Sequence, residues 1–251
     1  MAKRKNIITA GRLVRGVVYT VALPRDDARA RSAKLQVSTA ARERMNLKAS
    51  WEKLEAQLAA NFTGRDLHVT LTYRDADLPP DKKEAVKRLK KFLTQLRTYR
   101  RARGGSLYYI YVTEDKHGDA RIHHHIVLNG TGSDYEIIRS LWIYGDDVDF
   151  EPIELPGYTA LAKYLTKEPR EYGKVEVGGR TWTPSLGLKK PEPDAGFVPD
   201  NMTLTAPPGA IILDRDEKHN GFGEFVYIKY LLPAPFAKLP DRYQRTPRKK
   251  K

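Results

Sequence analysis

Two short stretches of two-residue alternation, Leu67–Tyr73 and Ile122–Leu128, constrain this chain most tightly. A period of two belongs to a strand with one buried face and cannot be satisfied by a helix. In the first stretch Leu67, Val69, Leu71 and Tyr73 fall on one side, and His68, Thr70 and Thr72 on the other. In the second, Ile122, His124, Ile126 and Leu128 oppose His123 and His125. If both apolar sets cover one core, the histidines and threonines share the opposite face of a sheet. His124 is the exception, a histidine directed inward that needs burial with a partner.

The intervening sequence supplies the rest of such a sheet. Residues 81–103 carry the strongest helical pattern, with Val86, Leu89, Phe92, Leu93, Leu96 and Tyr99 as its stripe and Gly104-Gly105 as its stop. Lys87, Arg88, Lys91, Arg97, Arg100 and Arg101 cover the remainder and are expected to contact phosphates. Leu107–Glu114 reads as a strand rich in aromatic and β-branched residues, and Asp115–Asp119 as a turn into the histidine strand. That hairpin brings Glu114 beside His123 and His125. Alternation groups Glu114 with Tyr108, Ile110 and Val112, although pattern alone does not say which face they take. Two imidazoles and a carboxylate make a mixed nitrogen and oxygen set suited to a divalent metal.

Ser133–Tyr144 reads as a helix capped by Ser133, followed by an acidic segment with a short strand in 145–155. Residues 158–167 form a compact helix whose stripe is Tyr158, Leu161, Ala162 and Leu165. Tyr158 therefore belongs to a core, while Tyr164 shares a polar face with Lys167; Lys163 adds a further cation for nucleic acid. Upstream, 13–21 alternates as a strand, 24–35 is polar, and 38–60 is helical with Ser38 as cap. Downstream, a Pro/Gly-rich connection runs through Gly209 to a strand pair at 210–213 and 224–231, and a basic tail begins at Arg242. The expected division is an N-terminal extension over 1–35, a main domain over 36–191 and a C-terminal extension over 192–251.

Composition narrows the partners. The 251 residues hold 45 Lys+Arg against 31 Asp+Glu, a net charge of +14, which favours a polyanion. With no cysteine, disulfides, thiolate zinc sites and a cysteine nucleophile are excluded. No apolar run is long enough to span a bilayer, the basic N-terminus lacks a signal-peptide core, and no GxxxxGK[ST] loop marks an NTPase. Nucleic acid is the expected partner, with no membrane, and a cytoplasmic location follows.

Taken in order, Val69-Thr70-Leu71-Thr72-Tyr73, then Glu114 with Arg121-Ile122-His123-His124-His125, then Tyr164-Leu165-Thr166-Lys167 resemble the three motifs of the HUH endonucleases. The resemblance covers roughly residues 36–191 and is closest to rolling-circle replication-associated proteins of small phages, prophages and plasmids. It departs at His124, where the family has a hydrophobic residue. It implies an α+β fold, RRM-like or ferredoxin-like, with a central antiparallel sheet, helices on one face and the metal site on the other. It further implies Mg2+ or Mn2+ on His123, His125 and Glu114, nucleophilic attack by Tyr164 with help from Lys167, and His68, Thr70 and Thr72 facing the site. The implied substrate is single-stranded DNA at a replication origin, including hairpin origins, with a host helicase as partner in a bacterial cell. Family members with two catalytic tyrosines hold them closer together than Tyr158 and Tyr164, which leaves Tyr164 as the expected nucleophile. A relaxase or single-strand transposase shares this chemistry; a metal-dependent hydrolase and a non-catalytic nucleic-acid binder are the competing readings.

Overall fold

The computed structural model describes residues 2–21, 39–114, 121–153, 157–167, 181–221 and 223–233. Ser38 as a cap, the polar segment 24–35, the turn 115–119 and the tail from Arg242 lie outside them. The chain forms two compact units, one of residues 62–188 and one assembled from 1–61 and 189–251.

The central unit is an α+β layer built on a five-stranded sheet. Its strands are β3 (Leu67–Leu71), β4 (Tyr109–Glu114), β5 (His123–Leu128), β6 (Val148–Pro152) and β7 (Thr183–Pro184). Their order is β6-β3-β5-β4-β7, and every pair is antiparallel. One face carries Leu67, Val69, Leu71, Tyr111, Ile126 and Leu128, as alternation in β3 and β5 requires. Against it pack α2 (Lys82–Arg101), through Ala85, Leu89, Phe92, Leu93 and Leu96, and α3 (Asp134–Leu141), through Ile138. The start of α2 is set by Asp81, whose side chain accepts from the Glu84 amide at 2.8 Å. Ser133 makes no such cap on α3; Asp134 binds the Thr131 amide and hydroxyl instead. Trp142 fills the end of this core and donates Nε1–H to the Thr72 carbonyl at 2.7 Å. Gly145 is required beside it, because a Cβ there would stand 2.2 Å from the same carbonyl oxygen.

His124 has the partner that its inward direction demands. It is fully buried, with Tyr73 Oη 2.7 Å from Nε2 and Thr113 Oγ1 2.8 Å from Nδ1. A neutral imidazole accepts at one nitrogen and donates at the other, so both are satisfied. Burial, reinforced by His123 and His125, pushes its pKa down to about 3 and keeps it neutral.

The terminal unit is a second five-stranded antiparallel sheet, ordered β8-β1-β2-β10-β9, from β1 (Ala2–Ala10), β2 (Leu13–Val21), β8 (Pro193–Val198), β9 (Ile211–Asn220) and β10 (Gly223–Leu231). The helix α1 (Thr39–Asn61) packs on β1 and β2, with Leu54 and Leu58 fully buried and Glu52 paired to Arg15 at 3.0 Å. Gly11 turns β1 into β2 with φ +58°, and a Cβ on it would lie 2.3 Å from the Ala59 carbonyl oxygen. Three expectations change here. The helix over 38–60 belongs with the terminal strands and not with the main domain. The basic leader is strand β1, whose Lys3 and Lys5 pair with Glu224 and Asp194. The connection before Gly209 contains β8, so the two expected extensions are one sheet.

Candidate metal and nucleophile site

Strand register decides which side chains meet on the open face of the central sheet. Glu114 stands opposite His123 and Val112 opposite His125 across β4 and β5, while Thr70 stands opposite His125 across β3. Directly opposed residues keep their Cβ atoms about 5 Å apart, which brings the ends of these side chains into contact. The register also assigns Ile110, Val112 and Glu114 to the histidine face, with Tyr111 in the opposite core.

His125 Nε2 lies 3.3 Å from Glu114 Oε1, His123 Nε2 lies 3.4 Å from Glu114 Oε2, and the two Nε2 atoms are 3.2 Å apart. Ligand atoms about 2.1 Å from one ion stand roughly 3.0–3.5 Å from one another in octahedral or tetrahedral arrangement, so this spacing suits a single cation. The outer nitrogens fix the tautomers. His123 Nδ1 is 2.8 Å from the Arg121 carbonyl, which can only accept, so the neutral ring turns its Nε2 lone pair to the cluster. His68 Nδ1 donates to Glu151 at 2.8 Å, which leaves His68 Nε2 as an acceptor 3.3 Å from His125 Nδ1. Thr70 Oγ1 is 3.2 Å from the same nitrogen. His125 therefore donates outward and offers its own Nε2 inward. Glu114 Oε1 is buried without a hydrogen-bond partner among the described residues. Three electron-pair donors thus converge on one point, and Glu114, His123 and His125 can hold a metal ion.

The electrostatics agree with that fit. Burial would raise the Glu114 pKa, but contact with His123 and His125 holds the carboxyl well below its usual range. Burial lowers His123, yet Glu114 and the Arg121 carbonyl raise it above its ordinary value. For His125 burial prevails over Glu114, and the ring is held below its ordinary pKa. A cation entering the cluster thus displaces a proton chiefly from His123.

The short helix α4 (Thr159–Leu165) carries Tyr164 over this face. Its Oη lies 3.4 Å from His125 Nε2, its ring is 5.1 Å from that of His125, and it is 42% exposed. Lys167 Nζ sits 3.2 Å from Glu114 Oε2 and 4.1 Å above the Tyr164 ring. Burial works against its charge, but Glu114 and Tyr164 raise its pKa, so it stays an ammonium. Tyr158 is buried and donates to the Phe62 carbonyl, away from the cluster.

The other expected residues divide. His68 and Thr70 join the site through His125, whereas Thr72 donates to the Asp147 carbonyl and does not. Glu151 was not foreseen: it lies on β6, and only the pairing of His68 with Glu151 across β3 and β6 reveals it. Of the phosphate contacts expected on α2, all lie on the sheet face opposite the histidines, because α2 packs on the core side. Lys91 and Arg101 are exposed there; Lys87 pairs with Glu84, Arg88 binds the Asp77 carbonyl, and Arg97 stacks over Tyr109. Arg100 is a correction, since it is buried and bonded to Asp134 at 2.6 Å and Asn129 at 2.9 Å. Lys163, exposed on α4, shares the Tyr164 side.

A central antiparallel sheet with helices behind it and a His/His/Glu cluster in front defines the class of HUH-like nuclease cores. Residues 66–169 match the family model of the replication-associated protein ORF2, and this segment belongs to that replication-associated family. The match covers the motif-bearing part of the central unit and agrees with the resemblance to rolling-circle Rep proteins. No curated protein and no solved structure matches the chain. Among the described residues no helix is long and apolar enough to cross a membrane.

Proposed function

We propose that the central unit is a metal-dependent nicking and joining endonuclease acting on single-stranded origin DNA in rolling-circle replication. The observation that carries this reading is the Tyr164 hydroxyl lying 3.4 Å from a nitrogen of the cluster, with Lys167 against its ring. A Mg2+ or Mn2+ ion on Glu114, His123 and His125 would supply the charge that polarises a scissile phosphate. Tyr164 Oη attacks phosphorus, the bond to O3′ breaks, and a 5′-phosphotyrosine retains the energy needed for rejoining. A phenol with an ordinary pKa of about 10 gives up its proton at a cost, and the Lys167 ammonium stabilises the phenolate. Lys167 also neutralises charge gathering on the phosphate oxygens, and the three-residue spacing keeps it on the Tyr164 side of the helix end.

The test is a labelled origin-type single strand incubated with Mn2+ and resolved on a denaturing gel. The expected product is a slower, label-bearing protein band, removed by EDTA, absent in Tyr164→Phe and retained in Tyr158→Phe. Strand cleavage without that band would instead establish hydrolysis by water. A smaller effect is expected behind the ligands. Glu151→Gln should weaken Mn2+ binding about tenfold in calorimetry, because His68 loses the acceptor that fixes its tautomer and hence that of His125. Unchanged affinity would remove Glu151 from the site.

A further inference from the structure

The charge of this chain is not where its family match is. Residues 62–188 hold 20 Lys+Arg against 18 Asp+Glu, whereas 1–61 and 189–251 together hold 25 against 13. Nearly all of the excess that attracts a polyanion thus belongs to the terminal unit, outside residues 66–169. The sheet of that unit presents a built surface for such a ligand. Following the register across all five strands, Phe197 on β8 pairs with Arg4 on β1, Arg4 with Tyr19 on β2, Tyr19 with Phe225 on β10, and Phe225 with Lys218 on β9. Residues directly paired across a sheet share one face, so aromatic and cationic side chains form a single transverse row. With strands about 4.8 Å apart the row spans roughly 19 Å, the reach of several nucleotides of extended single strand. Phe197 is 66% and Phe225 36% exposed, and Arg4 is exposed with its guanidinium 5.2 Å over the Phe197 ring. Lys218 pairs with Asp216 in an exposed ion pair, which is weak enough to yield to a phosphate. Exposed phenylalanines on a sheet face gain nothing in water, and their alternation with cations is what stacking bases and neutralising phosphates require.

We propose that this row, Phe197, Arg4, Tyr19, Phe225 and Lys218, is a second binding surface for single-stranded DNA, on the terminal unit. The choice of DNA rests on the replication reading of the central unit; the stacking and charge argument does not.

The test uses the full chain carrying Tyr164→Phe, in EDTA, with fluorescein-labelled oligo-dT followed by anisotropy. Phe197→Ala/Phe225→Ala is expected to weaken binding tenfold or more, Phe197→Tyr/Phe225→Tyr to restore it, and Arg4→Gln to lower the slope of log affinity against log salt by about one. Photo-crosslinking of bromodeoxyuridine-substituted oligo-dT should map to peptides containing Tyr19, Phe197 or Phe225. Unchanged affinity in the double alanine variant, at an unchanged melting temperature, would overturn the proposal. So would crosslinks confined to residues 62–188, or tighter binding of oligo-U than oligo-dT. Because cleavage is disabled throughout, a failed nicking assay would bear on Tyr164 alone and leave this result standing.

Discussion

Glu114→Gln is expected to lower Mn2+ affinity by about two orders of magnitude, the loss that follows when a charged ligand becomes a neutral one. The change is nearly isosteric, so the two imidazoles stay in place, but the site then holds only neutral nitrogens beside the Lys167 ammonium. Lys167 Nζ, 3.2 Å from the carboxylate it neutralises, becomes an uncompensated positive charge facing an incoming cation. Calorimetry and the electron paramagnetic resonance of free Mn2+ both read this, without reference to turnover. Wild-type affinity in Glu114→Gln would remove the cluster as the metal site.

The same substitution alters the response of the metal-free protein to acid. The folded-state pKa of Glu114 is depressed, so its carboxylate contributes stability that is present above the unfolded value near 4.5 and is lost as pH falls below it. His123 has the opposite sign: its raised pKa contributes stability below about 6.5 that fades as pH rises through the folded value. Denaturant melts in EDTA between pH 3 and 8 should therefore show, for wild type, an acid limb that is shallower in Glu114→Gln. Identical acid limbs would mean that Glu114 is not the group coupled to the histidines.

These residues could be found in the sequence because their information is local. A period of two in β3 and β5 assigns His68, Thr70, His123 and His125 to one face without knowledge of any partner, and the hairpin brings up Glu114. The helix stripe separates Tyr158 from Tyr164 on spacing alone, and the structure gives the first a core and the second a place beside His125. What escaped is what depends on pairing between distant segments. Glu151 is one acidic residue among several until β6 lies against β3, and β1 and β8 are short strands whose neighbours come from opposite ends of the chain. Charge misled at α2, where cations suggest an outer, phosphate-facing surface. The side of the sheet on which a helix packs is not written in its own periodicity, and α2 covers the face away from the site. A local signal for Arg100 did exist, since Leu89, Leu93, Leu96 and Arg100 fall on a four-three-four spacing that places the arginine on the buried stripe.

Arg100→Leu is accordingly expected to destabilise the central unit by about 3–5 kcal/mol, the range seen when one partner of a buried ion pair is removed. Arg100 is 3% and Asp134 2% exposed, with 2.6 Å between guanidinium and carboxylate, and Arg100 also binds Asn129 Oδ1 at 2.9 Å. Burial lowers the arginine pKa and Asp134 opposes the shift, leaving the guanidinium charged inside the fold. Asp134 keeps the Thr131 amide and hydroxyl after the change, which moderates its isolation but does not neutralise it. Arg100→Leu with Asp134→Asn should recover part of the loss, since the asparagine retains an acceptor for Thr131 without a buried charge. Urea melts measure all three chains, and a single variant within about 0.5 kcal/mol of wild type, the usual scatter of a surface substitution, would return Arg100 to the solvent. DNA affinity makes the distinction independently. Were Arg100 a phosphate ligand, its removal would weaken binding by folded protein and flatten the salt dependence, whereas a structural arginine leaves the folded fraction binding as before. The last turn of α2 holds α3 and the loop before it, so the charge of Arg100 is used inside the protein.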